Sequence, residues 1–263
     1  MIQLGVNSVL FKTVSFAEAA RAIALAGYDG VEISAIKDMC EHLDFDNYNK
    51  AELLSVMEET GLKFLSTEVA SIDRDRLKKA FEACADIGIP IVNVGPGGKA
   101  DEAGSIEESI ENLIDRTELA ASYGVTLCCK AHVGNAIYNT PTTLKAMEAI
   151  SHEKFGVDMD PSHIWRAGEN PADALRPVIG RTKHIHIRDC KGKGPAPGEP
   201  TLQTCGRGDI DLYAYFKVMV DGKYSGPVCL EVIGPDQTLQ ASSIIAAESY
   251  GYMNAILKSL GAR

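Results

Sequence analysis

Eight short apolar stretches alternate with eight helical stretches along this chain, and that alternation restricts its fold more than any other feature. The strand-like stretches are Leu4–Val6, Tyr28–Ser34, Leu62–Glu68, Pro90–Val94, Val125–Lys130, Phe155–Met159, Lys183–Ile187 and Pro227–Val232. Helices are expected from Ser15 to Gly27, Asn49 to Thr60, Arg74 to Ile87 and Ser105 to Tyr123. Others begin at Thr140-Pro141 and Asn170-Pro171, and two more span Asp209 to Val220 and Ala241 to Leu260. Several carry their own boundary signals: a capping box at Ser15 and Glu18, another expected at Ser105 and Glu108, and stops at Gly27, Gly61 and Gly124. Strict βα alternation favours a parallel sheet with crossover helices. Eight such units in 263 residues close to the usual length of about 250 predict one (β/α)₈ TIM barrel over residues 1–263, with its site at the C-terminal ends of the strands.

The charge excludes some partners. A formal net charge of −10 repels nucleic acid and anionic membrane surfaces at long range. No apolar run reaches the roughly 18 residues of a spanning helix, and Met1-Ile-Gln-Leu-Gly-Val-Asn7 reads as a strand without a signal-peptide pattern. Seven scattered cysteines without a Cys-x-x-Cys pair fit reduced, mostly buried thiols, so a cytoplasmic protein is expected. Self-association into a homo-oligomer is left open.

Chemistry concentrates between Phe155 and Asp189 and again at Glu231. Alternation puts Asp158 and Asp160 on one side of their strand, and His184, His186 and Arg188 on one side of theirs. Asp160-Pro-Ser-His163 follows strand six, His186 ends strand seven and Glu231 lies in strand eight, so in a barrel they converge. Carboxylate and imidazole donors of this kind suit one divalent cation such as Mn, Zn, Co or Mg. Glu32 and Glu68 end strands two and three and are expected to face substrate hydroxyls. Arg188 could bind a substrate carboxylate or phosphate through its planar fork, or form an internal salt bridge. Asp189 to Gly208 is a long irregular segment leaving strand seven, expected to be a lid.

In these motifs the chain resembles the xylose-isomerase-like barrel superfamily. The likeness rests on Gly27-Tyr-Asp-Gly-Val-Glu32, Gly124-Val-Thr-Leu, Asp160-Pro-Ser-His163, His184-Ile-His-Ile-Arg-Asp189, Gly206-Arg-Gly-Asp-Ile-Asp211 and Glu231, in that order over nearly the whole chain. It implies that Asp160, His186 and Glu231 ligate metal, with His163 beside them on substrate or metal. One departure stands out: relatives end strand five with a ligating Glu, where this chain has Leu127-Cys-Cys-Lys130-Ala-His132. Three arrangements are open. His132 takes the vacant ligand position; or three residues and water hold the metal while Lys130 acts as a base or amine; or no metal binds and Lys130 neutralises Asp160 and Glu231. The activity implied is a metal-assisted isomerase or epimerase acting on a small sugar, sugar phosphate or keto-polyol through an enediolate, with Glu231 and Lys130 catalytic. The alternatives are a dehydratase or lyase, Schiff-base chemistry at Lys130, and a sugar-binding barrel without turnover.

Overall fold

The computed structural model describes residues 1–263. Its strands are β1 (Gln3–Asn7), β2 (Gly30–Ile36), β3 (Cys40–Glu41), β4 (Lys63–Glu68), β5 (Ile91–Val94), β6 (Thr126–Lys130), β7 (Phe155–Asp158), β8 (Thr182–Ile187) and β9 (Pro227–Leu230). All but β3 are parallel, run in chain order around a ring, and close through β1 pairing with both β2 and β9. The expected (β/α)₈ barrel is therefore the fold. β3 is an addition: it folds back antiparallel on the end of β2 and raises a wall beside the C-terminal mouth.

The helices are α1 (Phe16–Ala26), α2 (Lys50–Thr60), α3 (Arg74–Ile87), α4 (Ser105–Ser122), α5 (Thr140–Ala149), α6 (Pro161–Arg166), α7 (Pro171–Leu175), α8 (Leu212–Asp221) and α9 (Leu239–Ser259). The capping box at α1 forms as expected: the Glu18 amide donates to Ser15 Oγ and the Ser15 amide to the Glu18 carboxylate. The one expected at α4 does not. Gly104 caps that helix in the left-handed region, and Ser105 Oγ instead accepts from the Lys99 amide at 2.8 Å, tying down the preceding loop. Helix α5 starts one residue earlier than its proline signal implied, because Asn139 rather than Thr140 is the cap. No helix is long and apolar enough to cross a membrane, and all seven cysteines are free and buried.

Two irregularities in the ladder aim the interior. Between β2 and β4 the register shifts so that Val31 faces Phe64 while Glu32 faces Ser66, which leaves Leu65 as an extra residue. Between β7 and β8, Val157 faces Thr182 while Asp158 faces His184. Such bulges re-aim side chains near sites, and here they set Glu32 level with Ser66 and Asp158 level with His184. At the lower end, Gly5 faces Gly30 across β1 and β2, and Leu65 fills the space both leave. A β-carbon on Gly30 would lie 2.4 Å from the Lys63 carbonyl oxygen and 2.6 Å from Leu65 Cγ. Gly30→Ala is therefore expected to destabilise the barrel by about 1–3 kcal/mol, read from chemical denaturation; an unchanged midpoint would show that β4 can yield.

Candidate active site

Each strand end contributes to a closed polar network. His186 is its pivot: its Nδ1 is bonded to Asp158, its amide donates to Asp158 Oδ1 at 2.8 Å, and its Nε2 lies 2.5 Å from Glu32 Oε2. Burial works against charge on this ring, but the Asp158 and Glu32 carboxylates outweigh it and hold its pKa well above the usual imidazole range. Glu32 is in turn bonded by Asn93 Nδ2 at 2.5 Å and by Asn7 Nδ2 at 2.9 Å, and the same Asn7 amide reaches Glu68 Oε2 at 2.6 Å. His184 Nε2 bonds Ser66 Oγ at 2.9 Å, while its Nδ1 has no hydrogen-bond partner, the nearest carboxylate oxygen being Asp158 Oδ1 at 3.4 Å.

Above this layer lies a second, centred on cations. Lys130 Nζ donates to Glu68 Oε1 at 2.7 Å and to both Glu231 oxygens at 3.0 Å, with all three side chains buried. Arg188 is wholly buried and gives Nη2 to Asp160 Oδ2 at 2.7 Å and Nε to Ser162 Oγ at 2.7 Å, with Nη2 also 2.9 Å from His163 Nε2 and 3.3 Å from Glu231 Oε2. Asp160 is doubly occupied, since its Oδ1 also caps α6 by accepting from the Ser162 amide at 2.7 Å. His132 turns Nδ1 to the Val133 carbonyl at 3.0 Å and lies against the His163 ring, centroids 4.0 Å apart.

The electrostatics separate the two carboxylates that Lys130 joins. Burial and the charge of Glu231 push Glu68 up to about 7, even though Lys130 opposes them. For Glu231, burial also favours the neutral acid, but Arg188 and then Lys130 overcome it and hold the carboxyl well below its ordinary value. Only Glu231 touches both cations, which is the physical reason it is the ionised member. Lys130 stays an ammonium, raised above its ordinary value because Glu231 and Glu68 outweigh its burial. His163 is driven well below the ordinary imidazole value by burial and by Arg188 beside it, so its ring is neutral.

A cavity of about 300 Å³ opens onto the second layer, lined by Glu68, Lys130, His132, His163, Arg188 and Glu231, with Ile36, Met39, Asn135 and Ile233 around its mouth. Of the residues expected to meet substrate, Glu68, His163 and Arg188 line this cavity. Glu32 does not: it sits one layer down, fully buried under His186. The segment Asp189–Gly208 contributes no lining residue, so it is not placed as a lid. It is fastened to the side, with Trp165 Nε1 donating to the Gly192 carbonyl at 2.8 Å, Arg166 Nη1 to that of Pro195 at 2.9 Å, and Gln203 Nε2 to that of Ile233 at 2.6 Å.

The four residues expected as ligands are not gathered at one point. Three groups have donor atoms within 4.8 Å of one another and could in outline hold a metal ion: Glu32, His184 and Cys229; Asp158, His184 and His186; and Glu32, Glu68 and His186. None contains Asp160, Glu231 or His132. The expected donor set does not fit a divalent ion in this arrangement. Asp160 and Glu231 are matched by Arg188 and Lys130, His186 has carboxylates on both ring nitrogens, and His132 is turned to a carbonyl.

Asn7, Asn93, Ser66 and Ser162 were not singled out from the sequence. The available signal was a small polar residue at an inward position of an otherwise apolar strand, as in Ile91-Val-Asn93-Val. An inosose dehydratase from Clostridium botulinum (strain Alaska E43 / Type E3) is 24% identical over 261 residues, covering 84% of this chain and 83% of that protein. Among solved structures, the IOLI protein with a bound zinc atom superposes with a TM-score of 0.80 at 18% identity, over 97% of this chain and 98% of that one. An L-ribulose 3-epimerase does so with a TM-score of 0.79 at 17% identity, over 98% and 95%. A family model described as Xylose isomerase-like TIM barrel matches residues 20–249. With the barrel closed as expected and most of its length matched, the chain belongs to the xylose isomerase-like TIM barrel family.

Proposed function

We propose that this chain is an enzyme that removes the proton beside the carbonyl of a small, uncharged keto-polyol and expels a β-hydroxyl as water, a dehydratase of the lyase class. The observation that carries this reading is the Glu68–Lys130–Glu231 bridge at the floor of the 300 Å³ cavity. A cavity of that size is at the small end of ligand sites. Two carboxylates with pKa values pushed apart mark an acid–base assignment, and a proton carrier works best with its pKa near the working pH. Glu68, at about 7, is that carrier.

In the sequence of steps, the ketone oxygen accepts from the Lys130 ammonium in place of one of the two Glu231 oxygens. Glu68 as carboxylate takes the α-proton, and the electron pair of the broken C–H bond moves to the oxygen as an enolate balanced by Lys130. The enolate then re-forms the carbonyl as the bond to the β-hydroxyl breaks, and Glu68 hands its proton to that hydroxyl, which leaves as water. Epimerisation of the same enolate needs a proton from the opposite face. Glu231, held ionised by Arg188 and Lys130, has none to give, which favours elimination over the isomerase outcome. The named curated relatives, inosose dehydratases, support the same choice and make a keto-cyclitol the first substrate to try. The Arg188 charge is already matched by Asp160 at 2.7 Å and Glu231 at 3.3 Å, which argues against a phosphate or carboxylate on the substrate. The firmly protonated Lys130 disfavours Schiff-base chemistry.

The test is incubation with inosose and a panel of ketohexoses in deuterated water, following enone absorbance and α-carbon exchange by NMR. Water loss from a keto-cyclitol is expected, with kcat falling as pH drops below about 7 because the base form of Glu68 is lost. Glu68→Gln should lower kcat by about 10²–10⁴-fold. Absence of α-exchange with every ketone would sink the reading, and exchange with epimer formation but no water loss would turn it to the epimerase.

A further inference from the structure

We infer that this site excludes a divalent cation and that the Lys130 ammonium is its resident positive centre. The inference deepens the reading above, whose electrophile it identifies, but it is decided by metal binding and not by turnover, so the two fail separately.

The argument is one of place and charge. Lys130 Nζ sits 2.7 Å from Glu68 and 3.0 Å from both oxygens of Glu231, which is where a cation drawing on those carboxylates would sit. An ammonium has three donors and no lone pair while protonated, so it cannot ligate. Two positive centres within a few ångströms inside a protein repel strongly. The remaining carboxylate, Asp160, faces Arg188 at 2.7 Å and the Ser162 amide at 2.7 Å. In this upper layer three carboxylates thus meet two fixed cations with at most one negative charge left over, and a divalent ion placed there would leave the layer positive. The unpartnered Nδ1 of His184 faces Asp158, which His186 already holds; in the group of Glu32, His184 and Cys229, the facing His184 nitrogen is bonded to Ser66, Glu32 to Asn7 and Asn93, and burial keeps the Cys229 thiol protonated.

The experiment uses the full chain, purified without a metal-affinity column, stripped with chelator and titrated calorimetrically with Mn²⁺, Zn²⁺ and Co²⁺ beside Lys130→Glu. The native protein is expected to show no site tighter than about 1 mM. Lys130→Glu, which replaces the ammonium by an oxygen donor among carboxylates, is expected to bind one ion per chain at least about 100-fold more tightly. One ion per native chain at about 10 µM or below would overturn the inference, as would a folded Lys130→Glu that binds no better than native.

A second measurement needs no variant. The ¹⁵N resonance of the Lys130 ammonium, slowed in exchange by burial, should keep its width when paramagnetic Mn²⁺ is added. Broadening at one equivalent would place the ion beside it and overturn the inference.

Discussion

Lys130→Met is expected to reduce turnover by about 10³-fold, the scale of removing a preorganised group that meets developing oxyanion charge. The same change should cost about 3–5 kcal/mol of stability near pH 8, because it leaves carboxylates buried without their partner. Glu68 keeps only the more distant His186 at 3.9 Å, while Glu231 keeps Arg188 at 3.3 Å. The loss should depend on pH in a defined sense. Glu68 already titrates at about 7 in the folded protein against an ordinary 4.5, and without Lys130 it rises further. A carboxyl raised on folding contributes stability that is fully present below its unfolded pKa and is lost as pH climbs through its folded one. Below the native transition both proteins hold Glu68 protonated and lose stability in parallel, so the deficit of the variant should be level there and grow from about pH 6 to pH 8. Denaturation at both ends of that window, with the rate measured alongside, checks the claim. Equal deficits at both pH values, or a rate within about tenfold of native, would contradict it.

Arg188→Leu should be comparably severe for stability, about 3–5 kcal/mol, for a different reason. The guanidinium is buried whole and its fork serves Asp160, Ser162 and His163 at once. Leucine matches part of its volume and none of its donors. Arg188→Lys retains the charge without the planar fork and should recover only part of the loss. A spectroscopic signature separates this from generic core damage. Burial and then Arg188 hold His163 well below the ordinary imidazole value, so removing the guanidinium should raise the His163 pKa, followed by its ring proton shifts. A His163 that titrates as in the native protein would mean the arginine does not govern it.

Much of the architecture was legible because boundary signals are local. Ser15, Glu18 and Gly27 are enough to place α1, and inward alternation put His184, His186 and Arg188 on one face without any knowledge of the barrel. What could not be read was pairing across strands. That Lys130 meets Glu68 and not Asp160, and that Asp160 meets Arg188, depends on depth around the ring, and depth is set by the two register shifts at Leu65 and Lys183. Residue types in order predict a cluster, and only the register tells which member touches which. Glu32 was misplaced because β2 runs on to Ile36: Glu32 is not its end but its third residue, two positions below Ser34, which is level with Glu68. Helix α6 and strand β3 were missed because a single turn and a two-residue ribbon carry almost no periodicity.

The closure of the ring through β1, β2 and β9 has a consequence for synthesis on the ribosome. Lys130 and Glu231 are separated by 101 positions, and Glu32 and His186 by 154. A nascent chain that has emerged as far as β8 carries two open sheet edges and a buried-to-be lysine lacking one of its two partners. Contacts this distant in sequence are formed late and expose the growing chain to misassociation. The arriving strand β9 both removes the last edges and brings in Glu231, the one carboxylate that touches both Lys130 and Arg188, so closing the ring and tying its two buried cations together are one event.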